Sequence, residues 1–486
     1  MHTRLNRRAD GSAGWIDEGE LLRHSPTPLV EQLFALLLAR IQSRQLAAGT
    51  RLPSVRLLAH DSGVSIDTVS RAYDKLVAHG HADARPGSGF YVKSSARAGI
   101  RQSAAAPDAT TVRHLHWNQR LIAAGGQPDQ PGSGVVPDAW QQPAGLAQAI
   151  RRLGRAKSAL SGYGDPLGYL PLRQQLQRKL LEVDVHAPAD QLVTTTGATQ
   201  ALSLLVRTYM NSTMEPVLVE DPCSFMLRDC VASMGLQQIP VPRLVDGPDT
   251  DELRRLCGVH RPRFFFCSSV LHNPTSTQLS PYRAHQILRI ADEFDLTLVE
   301  DDSFSDLMPS PVGITRLAAL DRLERVVYVG SFSKTMPPGL RVGFLAASAD
   351  RIERIALYKH VNCLTGSQLS ERAVYQMLTQ GQYRHHCEQL RARLDERRGT
   401  LVRQLLALGW RVPHPPEAGL FVWADLGPGV DAQRLAVQLA EQGCMQAAGE
   451  LFSATPALHS CMRFNIATTD AERGLRPLVK LLQQRR

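Results

Sequence analysis

One lysine stands out among the residues of this chain that could do chemistry. Of the 55 basic residues in 486, only 7 are lysines and 48 are arginines, and Lys334 lies in the segment SFSKTMPPGLRVG. Ser331, Ser333 and Arg341 accompany it, and hydroxyls with a guanidinium are groups that hold a phosphate. A lysine in a fixed position with a lowered pKa can form a Schiff base with a carbonyl compound. The alternative is a surface lysine in a serine-rich loop.

Three further segments could supply partners for such a lysine. Asp301 ends the apolar run LTLVED, and a carboxylate at the end of a strand can keep a pyridine nitrogen protonated. Asn273, in LHNPTS, could turn its amide toward a ring oxygen. In TTTGATQAL, Ala198 and Thr199 would offer backbone N–H groups to an anion at a helix N-terminus. Each has an ordinary alternative: a helix cap, an Asn-Pro turn, and simple capping by small residues.

The elements that would position these residues follow from alternating strands and helices. Short apolar runs, separated by helical stretches, occur at 217–221, 264–269, 296–301, 326–333 and 342–347. This alternation predicts an α/β fold with a mostly parallel sheet. From about 370 to 486, long helices and the strands LFVWADL and CMRFNIA indicate a smaller α+β lobe.

Taken in chain order, these segments resemble the fold-type I aminotransferases that bind pyridoxal 5'-phosphate (PLP), over roughly residues 140–486. The resemblance implies that Lys334 forms the Schiff base with the cofactor, that Asp301 pairs with its pyridine nitrogen and that Asn273 bonds its ring hydroxyl. It also implies a phosphate cup formed by Ala198, Thr199, Ser331, Ser333 and Arg341.

Two more residues have roles by this resemblance. Tyr163, in YGDPLGYLPLR, resembles the tyrosine that reaches the phosphate from a partner subunit, so a homodimer is expected. Arg463, in CMRFNIA, resembles the arginine that clamps an amino-acid carboxylate, a bidentate task that lysine does poorly.

Several positions depart from the aminotransferase pattern. Ser224 stands where a tyrosine usually stacks on the cofactor ring, and Phe225 follows it. Phe304 replaces a tyrosine whose hydroxyl bonds the ring oxygen, which removes a hydrogen bond of about 1 kcal/mol. Asn273 lies in NPTS where NPTG is common. These departures count against efficient transamination more than against cofactor binding.

The N-terminal part has a different pattern. Apolar spacing and capping residues predict a first helix over 28–44, a second from Ser54 to Gly63 and a third from Ser65 to Gly80. The Gly-rich segment RPGSGFYVK then predicts a hairpin. Helix, helix, tight turn, helix and hairpin describe a winged helix-turn-helix.

This segment resembles a GntR-type winged helix-turn-helix along its whole length, which implies that double-stranded DNA is its partner. The third helix would lie in the major groove, while arginines fix the register on phosphates. The DNA interface would comprise Arg56, Ser65, Asp67, Thr68 and Arg71, with Gly87 and Gly89 shaping the wing. For Arg71 the alternative is a solvated helix residue. Ile66 departs from the family, which often has an arginine there.

We therefore predict a GntR-type winged helix-turn-helix DNA-binding domain at 26–93, a flexible linker at 94–111 and an aminotransferase class I/II-like PLP-binding domain at 112–486. This combination resembles the MocR family of bacterial transcription regulators. In that family the large domain senses an amino compound or a vitamin-B6 species through PLP, and the response changes how a dimer sits on its operator.

Composition limits the other possibilities. With 43% hydrophobic and 21% charged residues the chain is an ordinary globular protein. Its apolar stretches fall short of the roughly 20 residues that cross a bilayer, and it shows no secretory signal, so a cytoplasmic protein is expected. No metal site is expected, since the eight cysteines form no CxxC pair. Two alternatives stay open: an active PLP-dependent aminotransferase with an appended winged helix, and a cofactor-free regulator whose large domain only dimerises.

Overall fold

The computed structural model describes residues 15, 21, 22, 25, 27–42, 45, 46, 49–85, 88–93, 109–155, 161–210, 215–310 and 313–483. The chain divides into two compact units, Met1–Ala104 and Ala105–Arg486. Gly87 and residues 94–108 of the predicted linker lie outside the described residues.

The first unit contains three helices and a hairpin. These elements are α1 (Leu29–Gln42), α2 (Val55–Ser62), α3 (Ile66–Ala78), β1 (Ala82–Arg85) and β2 (Gly89–Val92). Ser54 and Ser65 are the N-caps of α2 and α3, and the Ser54 Oγ accepts a hydrogen bond from the Leu57 N–H at 3.2 Å. An apolar core holds the helices together, and Tyr73 at its centre donates its hydroxyl to the Pro53 carbonyl at 2.9 Å. The predicted winged helix-turn-helix is confirmed.

The second unit combines many helices with two sheets. Its helices are α4 (Ala109–Ala123), α5 (Leu146–Arg155), α6 (Leu170–Leu181), α7 (Ala198–Tyr209), α8 (Phe225–Ser233), α9 (Thr250–His260), α10 (Pro281–Glu293), α11 (Leu317–Asp321), α12 (Ala349–Cys363), α13 (Gln368–Thr379), α14 (Gln382–Ala407), α15 (Ala432–Glu441) and α16 (Arg476–Gln483). Its strands are β3 (Leu192–Thr195), β4 (Val217–Asp221), β5 (Gln238–Leu244), β6 (Gly247–Pro248), β7 (Phe264–Cys267), β8 (Thr297–Asp301), β9 (Val326–Ser331), β10 (Gly343–Ala346), β11 (Phe421–Asp425), β12 (Ala447–Ala448) and β13 (Cys461–Asn465).

The larger sheet has the strand order β3-β10-β9-β8-β7-β4-β5-β6. Strands β5, β4, β7, β8 and β9 run parallel, whereas β10 is antiparallel to both its neighbours and β6 is antiparallel to β5. Strands such as FFFC are buried throughout because helices cover the sheet on both faces. The predicted α/β fold with a mostly parallel sheet is confirmed.

A second apolar core defines the small lobe, which contains the sheet β11-β13-β12 and helices α14 to α16. Helix α4 belongs to the same core, since Trp117 and Leu121 are buried in it. The helix begins at Ala109, so residues 109–111 of the predicted linker are helical. The apolar side chains that anchor α4 lie two turns further on, and residues 109–111 have no such signal of their own.

Among the described residues, no helix is both long enough and apolar enough to span a lipid bilayer.

Candidate functional site

The larger sheet brings several predicted site residues to one edge. Strands β3, β8 and β9 end at Thr195, Asp301 and Ser331, and β10 begins beside them at Gly343. Gly343 pairs with Thr195 on one side and with Ser331 on the other. A Cβ atom at Gly343 would lie 2.8 Å from the backbone of Gly197, so glycine allows β10 to approach the start of α7. The loops that follow these strands therefore converge.

Arg341, Ser331 and Ser333 form a polar cluster at this edge. The Arg341 guanidinium donates from Nη1 to the Ser333 Oγ at 3.3 Å and from Nη2 to the Thr196 carbonyl at 2.7 Å. The Ser331 hydroxyl donates to the Ser333 Oγ at 3.2 Å. The structure thus brings together three of the five residues predicted to form the phosphate cup.

The other two, Ala198 and Thr199, are the first residues of α7. The first N–H groups of a helix lack intrahelical partners and carry the positive end of its dipole. Gly197 precedes them at φ +87°, and a Cβ atom there would lie 2.7 Å from the Arg341 Nη2. A guanidinium, two hydroxyls and a helix N-terminus are a donor set that fits the phosphate of PLP.

Lys334 lies beside this cluster. Its Nζ donates to the Gly134 carbonyl at 3.0 Å and lies 5.1 Å from the centre of the Phe304 ring. Burial, together with the charges of Arg463 and Arg341 and against the opposing Asp301 carboxylate, lowers the pKa of the Lys334 amine to about 8. Because the neutral amine is the nucleophile, this environment suits covalent attachment of an aldehyde.

Asp301 ends β8 with one carboxylate oxygen engaged locally. Its Oδ1 accepts from the Ser303 N–H at 3.0 Å and from the Ser303 hydroxyl at 2.5 Å. Burial raises the pKa of the Asp301 carboxyl, and the Ser303 hydrogen bonds oppose that rise. A cationic ring nitrogen nearby would stabilise the ionised carboxylate. Ser224, which replaces the usual stacking tyrosine, lines the same small cavity as Asp301.

Arg463 is buried in the small lobe and turned toward the larger sheet. Its Nη1 donates to the Asn273 Oδ1 at 2.8 Å, while its Nη2 donates to the carbonyls of Gly132 at 2.7 Å and Ser133 at 3.3 Å. The Nε has no hydrogen-bond partner. Asn273, predicted to bond the ring hydroxyl of the cofactor, therefore also contacts the residue predicted to bind the carboxylate.

Three phenylalanine rings surround the Arg463 guanidinium, which is only 1% exposed. Its Cζ lies 4.1 Å from the centre of the Phe421 ring, 4.9 Å from that of Phe452 and 5.6 Å from that of Phe225. Burial lowers the pKa of Arg463 to about 9. Among the described residues, no acidic side chain forms an ion pair with it. An unpaired buried charge costs free energy that an anionic ligand would recover.

Phe225, which follows the departure at Ser224, and Phe304, itself a departure from the aminotransferase pattern, contribute apolar walls. Phe225 begins α8 and packs edge-to-face on Phe452 at 5.5 Å, beside Arg463. Phe304 packs edge-to-face on Phe421 at 5.4 Å. Replacing a tyrosine by Phe304 thus removes a hydroxyl but retains a ring over the lysine.

Ser276, the serine of NPTS, has a structural explanation. It takes a left-handed conformation at φ +57°, which glycine adopts without cost. Its hydroxyl donates to the Phe421 carbonyl on β11 at 2.9 Å. Compared with glycine, serine is less favourable in this backbone conformation, but it adds a hydrogen bond between the loop after β7 and the small lobe.

Tyr163 is 86% exposed and has no hydrogen bond or ring contact with these residues in the described chain. Its contribution to a second subunit's site stays a prediction.

Residues 131–135 contact the candidate site but were not among the predicted site residues, since the resemblance was placed from about residue 140. Their carbonyls contact both Arg463 and Lys334. The signal that could have found them is the turn-forming PGSG at 131–134.

The residues predicted to contact DNA surround the start of α3. Ser65 uses its side chain for the helix itself, because its Oγ accepts from the Thr68 N–H at 3.1 Å and lies 2.8 Å from the Thr68 Oγ1. Arg56 on α2 and Asp67 on α3 are exposed. Arg71 is 68% exposed in its side chain and lies 4.0 Å from the Asp67 carboxylate.

The wing and the position of Ile66 complete this surface. Gly89 begins β2 at φ +106°, a conformation that favours glycine. Ile66, where the family often has arginine, is 56% exposed. An exposed isoleucine at a predicted base-contacting position can pack against a thymine methyl group but cannot donate a hydrogen bond.

Two parts of the chain match known protein families. Residues 131–478 match the family described as Aminotransferase class I and II, and residues 29–92 match the family described as Bacterial regulatory proteins, gntR family. A similar solved structure is LysN, the alpha-aminoadipate aminotransferase of Thermus thermophilus, complexed with N-(5'-phosphopyridoxyl)-L-leucine. It is 27% identical with a TM-score of 0.64, covering 78% of this chain and 95% of that chain. The chain belongs to the aminotransferase class I and II family, whose cofactor is PLP.

Two relatives that match most of this chain are named as regulators. The uncharacterized HTH-type transcriptional regulator YdcR of Escherichia coli K12 is 29% identical over 94% of this chain and 99% of its own length. The probable rhizopine catabolism regulatory protein MocR of Rhizobium meliloti is 26% identical over 78% of each chain. The architecture is that of the MocR-type transcription regulators, and the predictions of this family, of DNA binding and of PLP as cofactor are confirmed.

Proposed function

We propose that this regulator senses an amino acid at the site around Lys334 and Arg463, through PLP, and that the response alters DNA binding. The observation that carries the proposal is the buried Arg463 guanidinium without an acidic partner in the described residues. A Cβ atom at Gly134 would lie 3.8 Å from the Lys334 Nζ and 3.9 Å from the Arg463 Nη2. Both groups therefore border one space, and an amino acid has an amine for one and a carboxylate for the other.

Each residue has a task in this proposal. When bound, PLP supplies the aldehyde that captures an amine covalently. Arg341 with Ser331 and Ser333 holds the phosphate, and Asp301 holds a proton on the pyridine nitrogen. Lys334 is present as the neutral amine at a useful fraction near neutral pH, because burial lowers its pKa. Arg463 orients the carboxylate of the ligand.

Sensing requires a ligand that stabilises one conformation of the protein over another, and turnover is not required. The DNA-binding domain and the missing Phe304 hydroxyl favour this function over efficient transamination. An active aminotransferase remains the second candidate, because Lys334, Asp301 and Arg463 are all present. We also propose that the protein forms a homodimer, in which the exposed Tyr163 reaches the partner subunit's site. Its proposed location is the cytoplasm, where its DNA target lies.

The test is a spectral titration of the PLP-loaded protein against a panel of amino acids, amines and vitamin-B6 compounds. We expect visible absorbance that depends on Lys334 and is lost in Lys334→Ala. Amino acids should perturb it at lower concentrations than the amines that lack their carboxylate, and Arg463→Met should abolish this difference. A colourless protein after incubation with PLP would overturn the proposal and favour the cofactor-free alternative. Sustained turnover with an amino donor and a keto acid would favour the enzyme.

DNA binding provides the second readout. A fragment selected from bacterial genomic DNA by the full-length protein serves as the probe, and its affinity is measured with and without the best ligand of the panel. We expect the ligand to change the affinity, and Lys334→Ala to remove the change while retaining binding. An affinity that no ligand changes would contradict sensing.

A further inference from the structure

Residues 131–135, here called the strap, accept hydrogen bonds from Lys334 and Arg463, the two side chains of the site that are proposed to bind the ligand. The Gly132 and Ser133 carbonyls accept from the Arg463 Nη2, and the Gly134 carbonyl accepts from the Lys334 Nζ at 3.0 Å. Two backbone carbonyls thus take the positions of acceptors that a carboxylate ligand would provide to Arg463, and the next carbonyl along the chain holds the Lys334 amine.

The strap is held in place by the strand that bears Arg463. Asn465, two residues beyond Arg463 on β13, is fully buried. Its Nδ2 donates to the Ser133 carbonyl at 3.0 Å and to the Val135 carbonyl at 2.8 Å. Its backbone N–H donates to the Pro131 carbonyl at 2.8 Å. The strap is therefore attached to β13 along its length.

The hydrogen bonds of Arg463 leave no free pair of donors for a carboxylate. Bidentate binding uses two N–H groups of the guanidinium. The Nη1 is bound to Asn273 and the Nη2 to the strap, while the Nε is buried without a partner. A carboxylate that engages Nη2 must replace the strap carbonyls. It is favoured in that exchange because its negative charge adds a Coulombic attraction to the guanidinium that a neutral carbonyl lacks.

The strap is also connected to the DNA-binding domain by chain order. Helix α4 precedes it, with Trp117 buried in the core of the small lobe and its Nε1 donating to the Gln446 carbonyl at 3.3 Å. Residues 94–108 connect α4 to the winged helix-turn-helix. The strap therefore belongs to the stretch of chain that leads from the ligand site to the DNA-binding domain, and a ligand that displaces the strap moves part of that stretch.

Resting on the proposed function, we propose that the strap is a built-in competitor of the ligand. It occupies Arg463 in the absence of a carboxylate, and the carboxylate of a bound amino acid displaces it. Asn465 is the positioning residue that sets how strongly the strap resists displacement.

A matched pair of ligands tests the displacement. N-(5'-phosphopyridoxyl)-L-leucine and N-(5'-phosphopyridoxyl)-3-methylbutylamine differ only in the carboxylate that would meet Arg463. Calorimetry on the full-length cofactor-free protein gives the affinity for each, and hydrogen–deuterium exchange follows the amides of residues 132–136. The Gly132 N–H, bonded to the Met445 carbonyl at 2.9 Å, should exchange faster with the leucine compound than with the amine compound.

A variant separates competition from simple structural support. Asn465→Ala should raise exchange of the strap without ligand and increase the preference for the leucine compound over the amine compound by about fivefold, equivalent to one hydrogen bond. A merely structural role would weaken both compounds alike. Gln238→Ala is the matched control. Gln238 lies on β5, away from the strap, and the substitution likewise removes a side-chain amide that donates to a backbone carbonyl, that of Arg228, at 2.8 Å. It should leave the preference unchanged.

The outcomes distinguish the two proposals. Binding of neither compound would overturn the proposed function, and the strap inference with it. Tight binding of both compounds with identical exchange of the strap would overturn the strap inference alone. A preference for the leucine compound that falls in Asn465→Ala would also overturn it, because it would show that the strap assists the carboxylate.

Discussion

The Lys334 environment predicts how fast PLP attaches at each pH. Only the neutral amine reacts, and burial with the Arg463 charge lowers the Lys334 pKa from 10.5 to about 8. At pH 7 a lysine with that pKa is neutral in roughly one molecule in ten, against roughly one in 3000 for an ordinary lysine. The buried site therefore increases the reactive population by about 300-fold.

Two substitutions should move this pH dependence in opposite directions. Asp301→Asn removes the negative charge that favours the protonated amine, so the Lys334 pKa falls and attachment begins at lower pH. Arg463→Met removes a positive charge that disfavours the protonated amine, so the Lys334 pKa rises and attachment requires higher pH. Both side chains are close in size to their replacements, which limits the change in packing.

The assay mixes cofactor-free protein with limiting PLP between about pH 6 and about pH 10 and follows the rise in visible absorbance. The wild-type rate should level off above its midpoint near pH 8, and Lys334→Ala should show no attachment at all. A wild-type rate that still increases steeply at pH 10 would refute the lowered pKa. Shifts of the two variants in the same direction would refute its electrostatic explanation.

Three further outcomes follow from the structure. In urea titrations, the free energy of unfolding of Ser276→Gly should be about 1 kcal/mol higher than that of Ser276→Ala. Both variants lose the hydroxyl, but only glycine adopts φ +57° without cost. The reverse order would mean that the backbone there is unstrained. Phe304→Tyr should tighten PLP binding about fivefold in equilibrium titrations by restoring one hydrogen bond, and unchanged affinity would show that the hydroxyl does not reach the cofactor. Arg56→Ala should weaken DNA binding and reduce its logarithmic salt dependence by about 1 without affecting PLP uptake; loss of both activities would indicate misfolding.

The secondary structure could be predicted closely where local signals are strong. Strand β4 coincides with the predicted VLVED, and β8 begins one residue inside LTLVED. Ser54 and Ser65 cap helices as predicted, because a hydroxyl that accepts from an N–H three residues later is a short-range interaction. The start of α4 at Ala109 was not predictable in this way, since its anchoring contacts lie in another lobe.

The candidate site was predictable in part for the same reason. Asp301 ends β8, Lys334 follows β9 and Arg341 directly precedes β10, so their positions beside strand ends indicated that they would meet at one sheet edge. The partner of Arg463 was not predictable. Its Nη2 bonds to carbonyls more than 300 residues away, and every residue except proline offers the same backbone groups.

The two domains, the parallel strands and the candidate lysine could be predicted from the order of residues, because apolar periodicity, caps and rare residue types act over short distances. Three features emerge only in the folded chain: the burial of Arg463 without an acidic partner in the described residues, the bond from Ser276 to β11, and the contacts of the strap with Lys334 and Arg463. Those features depend on desolvation and on contacts between distant backbone groups, which leave no pattern in the order of side chains.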